Sequence, residues 1–304
     1  MIDQPARKGR GAVLVIGVIA VVGVCLIFTP ARSLVRRFLG SLRVQKVQAV
    51  NVDLSTFLDP NANPTLHQMI GQMVSDKVVV TTNENEQQAP TAAAASQLAG
   101  FKVRVVSKRT DSPQLTVQGE HAFNMTVDRA RLQAVFNEAG RSDLALPEAL
   151  DGAAVAVQIP RSVTLQYGNC PTGAQGVAGP PPVTTQFANC LILSEGPSPV
   201  VSVPPSLKIE QLAETGLQLA GMSPSQAHEF CQAVNWKSTL GMSLPRHVQS
   251  YEMVDIKGSQ GTLLNTSGWR GPNYRLIWLE NGIVYSLAGF GNSGEAVPLA
   301  DSLQ

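Results

Sequence analysis

Apolar and polar positions divide this chain into one long uninterrupted apolar run and a body of short alternating or helically spaced segments. Residues 12–28 (AVLVIGVIAVVGVCLIF) carry no charge, with Arg7, Lys8 and Arg10 before them and Arg32, Arg36 and Arg37 after. At about 1.5 Å of rise per residue, a helix of this run and its uncharged flanks crosses a hydrocarbon core of roughly 30 Å. The pattern predicts a short cytoplasmic tail over 1–11, a transmembrane helix over 12–28 and a basic juxtamembrane segment over 29–46. Bulky Leu26-Ile27-Phe28 at the end of the run argue for an uncleaved anchor, with a cleaved signal peptide as the other reading. Leu34, Val35, Phe38, Leu39 and Leu42 then recur at helical spacing. That fits either an amphipathic helix lying on anionic headgroups or a stalk that continues the membrane helix.

Beyond the anchor the periods are shorter. Residues 47–54 (VQAVNVDL) alternate and predict a strand. Leu66, Met69, Ile70, Met73 and Val74 share one helical face, with Asn63 or Thr65 as the start. A strand is expected over 77–82, an exposed linker over 83–90 (NENEQQAP), a helix between Pro90 and Gly100, and a strand over 101–106 (FKVRVV). Residues 115–117 and 122–125 predict a hairpin around Gly119, and 127–139 an amphipathic helix closed by Gly140. Strands over 153–159 and 163–167 flank Pro160, and a Gly/Pro-rich passage leads from Cys170 to Cys190 and a strand over 191–193. After the proline-punctuated stretch 197–205 comes a helix over 207–219. Ser223-Pro224-Ser225-Gln226 opens another with a capping box. The last quarter is β-rich, over 251–256, 260–264, 274–279 and 283–288, with Asn281-Gly282 marking a hairpin and a terminal helix over 295–303. The expected body is α+β, antiparallel sheets with covering helices, in two lobes at 47–200 and 201–304.

Charge sharpens this layout. The net charge is +1, but residues 1–46 hold eight Lys/Arg and one acid, so the rest has 15 basic and 21 acidic residues. An acidic body lacks the clustered cations that phosphate binding needs, so nucleic acid is excluded as a partner. The flanking cations alone favour a cytoplasmic body, yet long domains translocate largely regardless of charge. Cys170 and Cys190, which flank the Gly/Pro-rich passage, suit a disulfide and hence an oxidising compartment. The expected placement is therefore a single-pass cell-membrane protein with its C-terminal body outside the cytoplasm.

Arg275-Leu276-Ile277-Trp278-Leu279-Glu280-Asn281-Gly282-Ile283-Val284-Tyr285-Ser286-Leu287-Ala288-Gly289, followed by a short helix ending Ala300-Asp301-Ser302-Leu303, resembles the close of the DUF4367 domain. The strand–turn–strand pattern from Tyr251 to Leu264 fits the same resemblance, which spans the last 60–100 residues. That domain is found at the extracytoplasmic end of bacterial membrane proteins, some of them anti-sigma factors. Such anti-sigma factors usually carry a cytoplasmic sigma-binding domain before the membrane helix. Here 11 residues precede the run, with no His or Cys among them. The resemblance thus implies an extracytoplasmic sensory or accessory module.

Candidate chemistry is sparse. His228 and Cys231 form an H-x-x-C on a helix, but neither His247 nor a nearby Cys completes the four ligands of a zinc site. No G-x-S-x-G elbow or Walker loop occurs, and no metal or cofactor is expected. Aromatic residues concentrate in the second half, where Tyr251, Trp269, Tyr274, Trp278 and Tyr285 are a candidate ligand groove; strand aromatics also serve as core. The expected function is a non-enzymatic, membrane-tethered sensory or scaffolding module binding a membrane or extracytoplasmic protein, or an apolar ligand. An exported hydrolase without a recognisable motif and a lipid-carrying module are the alternatives.

Overall fold

Four short connections organise the fold. β2 (Val78–Asn83) runs into β3 (Gln87–Ala89), β4 (Gln114–Gln118) into β5 (His121–Thr126), β6 (Ala154–Ile159) into β7 (Ser162–Tyr167), and β8 (Leu191–Pro197) into β9 (Val200–Ser202). In each pair the two strands belong to different sheets. β2-β5-β6-β9 form a four-stranded antiparallel sheet, while β3, β4, β7 and β8 pair antiparallel in a second. The arrangement amounts to four long strands that each cross from one sheet to the other along a common seam. The computed structural model describes residues 46–50, 63–171, 187–234, 239–243, 248–266 and 273–304. The expected anchor (12–28), residues 1–11 and 29–45, and Trp269 lie outside the described residues. Among those described, no helix is long and apolar enough to cross a membrane.

The second sheet is extended by a C-terminal meander: β11 (Val248–Ile256), β12 (Ser259–Thr266), β13 (Tyr274–Glu280) and β14 (Ile283–Gly289). β14 docks on β8 with Tyr285 opposite Glu195 and Leu287 opposite Leu193, which completes eight strands in the order β11-β12-β13-β14-β8-β7-β4-β3. A short parallel pair, β1 (Lys46–Val50) with β10 (Thr239–Ser243), lies beside β12 and β13. The molecule is therefore α+β, with two antiparallel sheets and helices.

The sheets do not divide at residue 200. The eight-stranded sheet takes four strands from each side of that position, and β9 of the other sheet runs across it. The larger core accordingly draws on Leu115, Val163, Leu165 and Leu193 together with Leu263, Leu276, Trp278 and Leu287. The helix Ala92–Ala99 and the short helix Ala296–Ala300 contribute Ala95, Ala296 and Ala300 to it. A second core joins Phe123, Met125, Val155, Val157 and Val201 to Phe136 of the helix Arg129–Glu138 and Leu212 of the helix Ile209–Leu219.

Helix starts follow local chemistry. Asn63 accepts from the Leu66 N–H (3.0 Å) with Pro64 in the first turn, and Thr91 accepts from the Ala94 N–H (3.1 Å). Ser223 and Gln226 form the expected reciprocal capping box on the helix Pro224–Ala233. The Asn281-Gly282 turn takes φ values of 52° and 82°, the left-handed pair that a tight hairpin requires.

Other expectations are corrected. Residues 115–117 and 122–125 form no hairpin, because β4 and β5 pair with different neighbours and separate at Gly119. A Cβ at Gly119 would lie 2.5 Å from the main-chain oxygen of Glu84, so the crossing strands approach closely there. Gln87–Ala89 is a strand within the expected linker. The segment 101–106 forms no strand; Val106 alone in it makes a β-bridge, to Leu303. The terminal helix is shorter than expected, a 3-10 turn Ser293–Glu295 leading into Ala296–Ala300.

Candidate ligand-binding cleft

The meander carries Tyr274, at the start of β13, to a position opposite Gly289 on β14. A Cβ at Gly289 would overlap the Tyr274 ring, so the glycine makes the space the ring fills. Tyr274 is 2% exposed, and it forms one wall of a cleft of about 370 Å³. Lys108 and Arg109 contribute from the segment after Val106, Asn189, Cys190 and Leu191 from the start of β8, and Glu295, Pro298 and Leu299 from the C-terminal turns. The C-terminus is fixed there by reciprocal main-chain bonds between Val105 and Gln304 (3.1 and 3.2 Å).

The Cys170–Cys190 bridge borders the cleft through Cys190, and its Cα atoms are 4.9 Å apart. Phe187 and Phe290 pack around it, ring centroids 5.9 Å apart. Asn189 accepts from the Asn169 N–H (3.2 Å), which ties the two ends of the loop together beside the bridge.

The polar groups of the cleft differ in how they are committed. Arg109 makes two 2.7 Å bonds to Asp111 and lies 5.7 Å from the Tyr167 ring centroid. The Lys108 ammonium, the Glu295 carboxylate and the Tyr274 hydroxyl make no hydrogen bond or ion pair with any described residue. Burial first, and the nearby Glu295 carboxylate second, push the Tyr274 phenol up to about 12, with Arg109 opposing. Among the described residues, the cleft therefore presents the uncommitted Lys108 and Glu295 side chains beside the Tyr274 phenol.

A separate buried cluster lies deeper in the same sheet. Glu195 is 1% exposed, and both its oxygens accept from the Arg104 main-chain N–H (3.0 and 3.2 Å). Burial pushes its carboxyl up to about 8, with the bonds and charge of Arg104 acting the other way. The Arg104 guanidinium turns instead to Glu280, at 2.7 and 2.9 Å, and lies 5.5 Å from the Tyr285 centroid. Tyr285 stacks on Trp278 with centroids 5.0 Å apart.

The five aromatic positions of the expected groove are thus dispersed. Tyr274 lines the cleft, Trp278 and Tyr285 are filled core, Tyr251 is 53% exposed on the edge strand β11, and Trp269 lies outside the described residues. His228 approaches Glu214 at 3.3 Å, Cys231 is buried, and no set of three or more metal-ligating side chains occurs among the described residues. Lys108, Asn189 and Glu295 had no signal in the sequence that could have grouped them. Glu195 did, because the alternation Leu191, Leu193, Glu195 turns it inward. Compared with protein-family models, curated proteins and solved structures, the chain matches none.

Proposed function

We propose that the chain is a membrane-tethered, extracytoplasmic sensory module whose body binds a ligand without converting it. The observation that carries this reading is a ligand-sized cleft with a disulfide in its wall. Its volume of about 370 Å³ falls in the range of small-molecule sites, and its lining mixes apolar surface with a few convergent polar groups. The sulfur at its wall is engaged in the bridge and so is not a nucleophile. A disulfide persists in an oxidising compartment, which agrees with a body held outside the cytoplasm by residues 12–28. The resemblance of residues 251–303 to an extracytoplasmic domain supports the same placement. The burial of Trp278 and Tyr285 in the core turns the reading away from an apolar groove and towards a polar ligand in the cleft.

The test is a fusion of alkaline phosphatase after Gln304 in a bacterial host, since that enzyme is active only when exported and oxidised. The expected result is full phosphatase activity in a membrane fraction that resists carbonate extraction. A silent fusion, or one released into the soluble fraction, overturns the tether. Turnover of an ester, peptide or glycan by the full chain overturns the binding-only reading.

A further inference from the structure

We infer that the cleft selects a small zwitterion, a carboxylate and an ammonium on one compact skeleton with an apolar side chain, the chemistry of a free aliphatic amino acid. This rests on the reading of the cleft as a binding site and adds the class of ligand.

Three independent features converge on it. Lys108 and Glu295 both line the cleft, yet they join neither each other nor any other described residue in an ion pair. A ligand bearing a single charge satisfies one of them and brings no counter-charge to the other. A zwitterion answers both, and it adds no net charge to the site. Arg109 adds positive field to the cleft but is already held by Asp111, so Lys108 is the uncommitted cationic contact.

The second feature is Tyr274. Its ring is held in place by the missing side chain at Gly289, while its hydroxyl has no partner among the described residues. The ring is buried while the hydroxyl oxygen stays open to the cleft, so a ligand atom can take the place of solvent there. The neutral phenol can donate to a ligand carboxylate, and Lys108 brings an uncommitted ammonium to the same cleft. The third feature is Leu191, Pro298 and Leu299, which supply apolar wall to the cleft. They provide contact for an aliphatic side chain and set an upper limit on its polarity.

The experiment is isothermal titration of the full chain in lipid nanodiscs with L-leucine, and with isocaproate and isoamylamine, which keep the leucine skeleton and carry only the negative or only the positive charge. Leucine is expected to bind at least about tenfold more tightly than either analogue, one factor of ten being the order of a single charged hydrogen bond. Lys108→Gln should weaken leucine and isocaproate but not isoamylamine, and Glu295→Gln should weaken leucine and isoamylamine but not isocaproate. Tyr274→Phe keeps the ring that fills the space at Gly289 and should cost about tenfold in leucine affinity. Equal binding of leucine and one analogue overturns the zwitterion and leaves the cleft as a binding site. Binding of none of the three overturns the inference, while the phosphatase fusion still reports separately on the tether.

Discussion

Glu195 sits where strand alternation demands a hydrophobic residue, after Leu191 and Leu193 on the inward face of β8. Burial lifts its folded-state carboxyl from an ordinary 4.5 to about 8, so the folded chain retains a proton that the unfolded chain releases. Its stabilising contribution is complete below about 4.5, declines as pH rises above that, and is lost through about 8. Glu195→Gln, which keeps the shape and an acceptor for the Arg104 N–H, should flatten this decline. Chemical denaturation at pH 5 and pH 8 measures it: the native chain should lose more stability between the two than the variant, and equal losses would show that Glu195 is not the buried acid. The inward turn of Glu195 was missed, because the strand was expected to stop at 193 where it runs on to Pro197; carrying the Leu191, Leu193 alternation one step further would have found it. Tyr274 was legible as one aromatic among several. The convergence of Lys108 and Glu295 on one cleft was not, because it depends on the C-terminal segment returning to the stretch around Val105, a contact between residues far apart in sequence that no local pattern encodes.

At the scale of elements, the seam between the sheets is the least legible feature. Arg161 makes two 2.7 Å bonds to Glu84 and one of 3.1 Å to the Leu98 carbonyl, and the Glu84 carboxyl also accepts from the Glu120 N–H (2.9 Å). These contacts, the Arg161 guanidinium foremost, hold the Glu84 carboxyl down at about 2. A strand followed by Gly and Glu and then another strand reads as a hairpin on sequence alone, since nothing local separates a reversal from a crossing. The crossing is decided by Glu84, a distant neighbour whose main chain occupies the space beside Gly119. Gly119→Ala should therefore destabilise by about 1–3 kcal/mol, the ordinary cost of forcing atoms into filled space. Denaturant midpoints check this, and a neutral result would mean that the seam yields easily. The helices were read more faithfully, because Asn63, Thr91 and Ser223 act on amides within three residues and their chemistry is visible in the sequence.

For the whole molecule, the interleaving of the sheets bears on cooperativity. β8 pairs with β7 on one side and β14 on the other, so the larger core cannot form from either half of the chain. Fragments 47–200 and 201–304 made separately should remain unfolded, with amide protons unprotected from exchange, whereas the full chain should protect β8 and β14 together. A folded 201–304 fragment would contradict this. The two-lobe division expected near residue 200 arose because the proline-rich stretch there looks like a linker, whereas Ser198 and Pro199 carry the chain from one sheet to the other. The α+β class was legible, because class depends on periodicity, and the order of strands was not, because order depends on long-range pairing.

The central claim, a disulfide-braced binding head outside the cytoplasm, is tested most directly by the thiols in living cells. Spheroplasts producing the full chain are treated with a membrane-impermeant maleimide, with and without an impermeant reductant. The account predicts no labelling at first and labelling at Cys170 and Cys190 after reduction from outside, with Cys231 silent in the fold. Labelling of those two residues before reduction, or none after it, would contradict the account.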